Sequence, residues 1–225
     1  MKVSMHQPNY IPYLWLFEKI KKSDLFIFSE QDQFSRWDWH DRNFVRDRQN
    51  KIDLKIPCTL KWKYVPIEEV EFDNRILAKH RKTIEHIYKN AWHYKDAEWL
   101  LDYIYSYEWN NLAEFNIRAI KKICEYLWIT TKIITEKELW YKKELLKNDE
   151  IIELCRLVWA DEYLSWLWWK WYIDEWKYED AWIKVEFMED VQYVYRQMYK
   201  DSFIPNLSVV DYVCCSSKYE TVKNE

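Results

Sequence analysis

Apolar and polar positions along this chain switch between two periods. Residues 2–5 predict a short strand, and Leu16, Phe17 and Ile20 share one side of a helix predicted from Leu14 to Lys21. Between them Met5-His6-Gln7-Pro8-Asn9-Tyr10-Ile11-Pro12-Tyr13 places His, Gln, Asn and Tyr within five positions, and its two prolines exclude a regular helix. The unbroken Leu25-Phe26-Ile27-Phe28 then predicts a strand covered on both faces, as in a parallel sheet. A strand, a polar turn, a helix and a second strand open an α/β fold, in which ligands bind beyond the carboxyl ends of the strands.

Farther on, residues 42–57 alternate through Ile52, Leu54 and Ile56 up to Pro57, and Val70 and Phe72 alternate likewise. Three helices follow. Ile76, Leu77, His80, Ile84 and Ile87 share one side of the first; the second covers about 95–107. The third carries the stripe Leu112, Phe115, Ala119, Ile120, Ile123, Cys124 and Leu127, with Asn111 and Glu114 spaced as a capping box. Residues 129–135 predict a strand, and Asn148-Asp149-Glu150 opens another helix with acids at its positive end. Strands are expected at 160–165 and 183–187. Ser208 and Asp211 have capping-box spacing, and the charged residues from Lys218 onward are expected to fray. The expectation is one α/β domain over residues 1–225, with a mostly parallel or mixed sheet flanked by helices.

Composition changes this picture at one point. The chain has no glycine and 16 tryptophans; at the usual ~7%, about 16 glycines would be expected. Trp128 and Trp159 follow helical patterns where the backbone turns left-handed and glycine is preferred. Ser165-Trp166-Leu167-Trp168-Trp169-Lys170-Trp171-Tyr172 reads as a loop once its indoles are replaced by glycine, and Trp182 precedes a strand where a turn is needed. Most of these tryptophans are therefore expected to stand for glycine, as when UGA codons that mean glycine are read as tryptophan; the alternatives are deliberate substitution or a truly tryptophan-rich protein. Trp39, Trp92, Trp99 and Trp109 have neighbours that suit an indole.

The net charge of −4 has interspersed signs, so neither nucleic acid nor an anionic membrane is an expected partner. Five cysteines without CxxC spacing read as reduced, mostly buried thiols, and the five histidines lack an HExxH arrangement for zinc. No metal site is expected, and no pattern names a cofactor. With no signal-peptide stretch and no run of ~18 apolar residues, the expectation is a cytoplasmic protein without membrane insertion.

With glycine restored, the chain resembles the WbqC-like protein family. The resemblance rests on His6-Gln7-Pro8-Asn9-Tyr10 with Pro12, Phe17-Glu18-Lys19-Ile20, Ser23-Asp24, Asp32-Gln33-Phe34 and Arg42-Asn43. It continues through Lys79-His80-Arg81-Lys82-Thr83-Ile84, Ala160-Asp161-Glu162-Tyr163-Leu164-Ser165, Tyr172-Ile173, Tyr195 with Gln197, and Leu207-Ser208-Val209-Val210-Asp211. Trp15, Trp128, Trp159, Trp166, Trp168, Trp169, Trp171, Trp176 and Trp182 depart from it where a small residue is favoured, and Cys214-Cys215 departs from Phe-Asn. The resemblance implies a bacterial protein encoded among genes for surface polysaccharide such as O-antigen. That context implies a transferase modifying an amino sugar or sugar nucleotide, with N-aminoacyl (glycyl) transfer as one form; the alternative is a non-catalytic sugar- or nucleotide-binding or scaffold protein. The opening stretch also looks similar to the nucleotidyltransferase-like enzymes of Rossmann type, pantothenate synthetase among them.

Within that reading His6 is the candidate general base or donor to a developing anion, and Asp32 the residue that holds a hydroxyl or deprotonates an amine. Gln7, Asn9 and Gln33 are candidate ligands for sugar hydroxyls or amides, Arg36, Arg42, His80 and Lys82 for phosphates, and Tyr10 and Asn43 are further candidate substrate-binding residues. Tyr195 and Gln197 alternate on a strand-like stretch and face either a pocket or the core. Taken alone, His80 on an apolar helix side is more often a hydrogen-bonded core histidine, and Arg36, Arg42 and Lys82 are more often solvated charges.

Overall fold

The computed structural model describes residues 1–48, 50–145, 147–199 and 203–223. Its strands and helices in chain order are β1 (Lys2–His6), α1 (Leu14–Lys21), β2 (Leu25–Phe28), β3 (Arg42–Asp47), β4 (Asn50–Lys55), β5 (Cys58–Thr59) and β6 (Glu71–Phe72). Then come α2 (Arg75–Tyr88), α3 (Tyr94–Tyr105), α4 (Leu112–Tyr126), β7 (Lys132–Thr135), α5 (Asn148–Leu157), β8 (Glu162–Trp166), α6 (Glu175–Asp180), β9 (Lys184–Met188), β10 (Val191–Tyr195), α7 (Val209–Cys215) and β11 (Tyr219–Lys223).

Five strands form one sheet in the order β7-β2-β1-β8-β9, and every pairing in it is parallel. In chain order of these five strands that is 3-2-1-4-5, a doubly wound arrangement whose winding reverses between β1 and β8. Both faces are covered, which explains the unbroken apolar run of β2. Phe26 and Phe28 pack into the cluster built by α1, α2, α3, α4 and α7, whereas Leu25 and Ile27 pack into the one built by α5 and α6. Burying each phenylalanine contributes roughly 1.5–3 kcal/mol. Residues 42–57 differ from a single strand: β3 and β4 pair antiparallel as a hairpin, with Arg48 at φ 50° in the turn. Residues 219–223 do not fray; they pair antiparallel with β10, because main-chain pairing does not depend on the polarity of the side chains it carries.

Four helical segments end in the same way. Trp128, Trp140, Trp159 and Trp182 have φ of 58°, 56°, 59° and 60°. Each is the left-handed residue of a Schellman motif: Ile129 N–H reaches Cys124 O at 2.9 Å, Tyr141 N–H Glu136 O at 3.1 Å, Ala160 N–H Cys155 O at 2.9 Å, and Ile183 N–H Tyr178 O at 2.8 Å. Their indoles are 90, 95, 89 and 90% exposed, so no packing compensates the conformation. Glycine is the residue this geometry favours. Trp39, in contrast, packs against Tyr13 and Phe44 at 5.2 and 5.7 Å, Trp99 against Tyr126 at 6.0 Å, and Trp92 under the Arg196 guanidinium at 3.5 Å. Among the described residues no helix is long and apolar enough to cross a membrane.

Candidate functional site

The carboxyl end of β1 lies beside the reversal in winding, and the turn after it is fixed from three directions. Asn116 Nδ2 donates to Pro8 O at 2.9 Å and to His40 O at 2.8 Å. Asn43 Nδ2 donates to Tyr10 O and Ile11 O at 3.2 and 3.0 Å. Ser208 Oγ, which also caps α7, donates to Ile11 O at 2.7 Å. These bonds hold Ile11 at φ 32°, an unfavourable value for a β-branched residue. The result is that His6 and Gln7 are aimed at one place.

That place is a cavity of about 340 Å³ over the ends of β1 and β8, lined among others by His6, Gln7, Lys19, Asp32, Lys143 and Glu150. His6 Nδ1 lies 2.8 Å from Gln7 O; a carbonyl only accepts, so Nδ1 carries the proton and Nε2 keeps its lone pair. Burial, helped by the charge of Lys19, pushes the His6 imidazole down to about 3, which leaves it neutral near pH 7. His40 accepts from Ser35 N–H at Nδ1 (3.4 Å), so its Nε2 donates to Gln7 Oε1 at 2.9 Å. Gln7 Nε2 is thereby turned to donate to Asp32 Oδ2 at 2.9 Å.

Lys143 forms an ion pair with the other oxygen of Asp32 and contacts both Glu150 oxygens at 2.6 and 2.7 Å. Its approach is set by Gln31, whose amide donates to Tyr141 O at 2.8 Å and accepts from Lys143 N–H at 3.0 Å. Beneath it, burial pushes the Glu136 carboxyl up to about 8, although Gln31 N–H donates to it at 3.1 Å. The site thus combines a neutral imidazole acceptor, a positioned carboxylate and an ammonium at the switch point of a parallel sheet. Among the described residues no group of His, Cys, Asp and Glu side chains is arranged to hold a metal ion.

The sequence profile of the WbqC-like protein family matches residues 7–223. The chain belongs to that family. It is also 29% identical over 214 residues to a protein of Mycobacterium tuberculosis (strain ATCC 25618 / H37Rv) named "Uncharacterized protein Rv1507c", covering 93% of this chain and 91% of that relative.

The structure of this WbqC-like protein brings together four of the residues singled out from sequence: His6, Gln7, Asp32 and Gln33 line the cavity. The others lie elsewhere. Tyr10 and His80 form a buried set with Tyr105, with the Tyr10 hydroxyl 2.7 Å from His80 Nδ1 and 3.0 Å from Tyr105 Oη. Asn9 is buried in the turn, and Asn43 holds that turn from behind. Arg42 lies 3.6 Å from Asp41, and Arg36 and Lys82 are exposed. Gln197 accepts from buried Arg46 at 2.6 Å, and Tyr195 packs on Tyr212 at 5.3 Å. Lys19, Lys143, Glu150 and Ser165 join the site although sequence reasoning did not select them. Lys19 left one trace, a lysine inside the apolar side of α1.

Proposed function

We propose that this WbqC-like protein is a transferase that modifies an amino sugar or sugar nucleotide in the assembly of bacterial surface polysaccharide, by N-aminoacyl transfer with glycyl as one group. The observation that supports it best is the neutral His6, its Nε2 lone pair unpartnered among the described residues, in the same cavity as a carboxylate held by Gln7 and Lys143. In this reading the sugar amine attacks the acyl carbon, the new N–C bond forms, and the bond from that carbon to its leaving group breaks. His6 Nε2 takes the amine proton as the N–C bond forms and passes it directly to the leaving group, so that the imidazolium, which burial and the Lys19 charge disfavour, does not accumulate, while Asp32 orients the amine. The two-sided arrangement of a doubly wound sheet, with ligand over the switch point, agrees with a nucleotide-linked sugar.

The test is steady-state transfer by His6→Gln and Asp32→Asn beside calorimetric binding of the same amino-sugar nucleotide. The expected result is a kcat loss of about 10²–10⁴ for His6→Gln with affinity changed less than about tenfold. Affinity lost in both variants, with no turnover in the unchanged chain, would instead identify a binding protein.

A further inference from the structure

Lys19 is 1% exposed, and its ammonium donates to Met5 O at 3.0 Å. Burial alone acts on it, lowering it to about 7, and no carboxylate of the described residues opposes that effect. The contrast with Lys143 in the same cavity, which Asp32 and Glu150 neutralise, is direct. A buried ammonium without a counter-charge costs several kcal/mol, which Lys19 relieves in part by giving up its proton near pH 7; an anion beside Nζ would restore the full charge.

What covers Lys19 is an aromatic face. The centre of a Trp166 ring lies 4.5 Å from Nζ. That indole is poorly accommodated: it is 5% exposed, and its Nε1–H finds no acceptor among the described residues. It stacks on Trp168 at 4.9 Å and meets Trp15 edge-on at 4.3 Å. Trp166 lines both the cavity above and a second one of about 240 Å³, bounded by the turn between β9 and β10 and by Pro205 and Asn206. Positions 15, 166 and 168 are all among those where a small residue is expected.

We propose that Lys19 is the binding residue for an anionic group of the ligand, phosphate or carboxylate, and that the Trp166 indole fills the place where this group sits. The inference rests on the transferase reading for its cavity and adds the charge of the ligand and the residue that meets it. With glycine at 166, the two cavities open into one and the ammonium faces the ligand.

The experiment is calorimetric titration of Trp166→Gly with inorganic pyrophosphate and, separately, with sodium acetate; the two arms distinguish a phosphate from a carboxylate. Trp166→Gly is expected to bind one of them at least tenfold more tightly than the unchanged chain, and adding Lys19→Met is expected to abolish that gain. Binding of neither anion, or equal binding with and without Lys19→Met, overturns the proposal. A second readout does not need a folded Lys19 variant: in Trp166→Gly labelled at lysine Cε, the Lys19 resonance is expected to move as the anion saturates. A Lys19 signal that stays fixed overturns the proposal as well. Neither readout involves transfer. Lys19-dependent anion binding in a protein without turnover therefore refutes the transferase and supports this site, and turnover without such binding does the reverse.

Discussion

Replacing Trp128, Trp140, Trp159 and Trp182 together by glycine should raise stability, and the structure sets the size. Each has φ between 56° and 60° and an indole at least 89% exposed, so the exchange removes strain and almost no packing. Strain at a left-handed non-glycine residue is of order 1–3 kcal/mol, and the extra freedom glycine gives the unfolded chain offsets roughly 0.5–1 kcal/mol of it. A net ~1 kcal/mol per site gives about 4 kcal/mol for four sites at separate helix ends, if they act independently. Urea unfolding followed by far-UV circular dichroism should show a higher midpoint with an unchanged slope, and Tm should rise by ~8–16 °C. The same four positions changed to alanine keep the strain and should stay within about 0.5 kcal/mol per site of the starting chain. Glycine variants no more stable than the starting chain, or alanine variants that gain as much, would refute the strain argument and with it the glycine reading of these positions.

Glu136→Gln should stabilise the protein increasingly between about pH 4.5 and 8, at up to ~1.4 kcal/mol per pH unit. Below that window Glu136 is protonated in both states; within it only the folded state keeps the proton, so the parent loses stability as pH rises and levels off above 8. Buried His6 and His40, lowered to about 3 and 4, act oppositely, their contribution rising as pH increases towards 6.5, so the variant-minus-parent difference in urea melts isolates Glu136. Lys143→Met leaves Asp32 and Glu150 facing each other without their shared cation and should cost roughly 2–4 kcal/mol in the same melts at pH 7, less at pH 4, where the Glu150 carboxyl, held above its ordinary value chiefly by burial, is protonated. No difference between the two pH values would contradict the charge argument.

How much of this was legible depends on whether the signal was local. The four apolar residues of β2 announce a strand with both faces covered, and the turn holding His6 and Gln7 lies at the switch point because β1 is the strand where winding reverses. Trp128, Trp159 and Trp182 were legible because a helix end imposes its backbone geometry whatever letter is written there; Trp140 follows only a short 3-10 turn, too brief for a periodic pattern. The rest of the site was hidden by distance along the chain. Lys143 reaches Asp32 only because Gln31 binds the backbone around 141–143, a contact no spacing encodes. Residue type also misled: Asp211 has capping-box spacing, yet its carboxylate accepts from Tyr88 Oη at 2.8 Å inside the core. His80 on the apolar side of α2 reads more often as a hydrogen-bonded core histidine than as a ligand, and the Tyr10 hydroxyl beside it supplies that bond.

The most direct test of the account is hydrogen exchange on the glycine-restored protein, with and without a nucleoside-diphosphate amino sugar at saturating concentration. The switch-point site predicts protection concentrated in residues 5–9, 29–33, 143–145, 147–151 and 163–166. Protection confined to the face carrying Arg36 or Lys82, or no protection while calorimetry reports binding, would place the ligand elsewhere and contradict it.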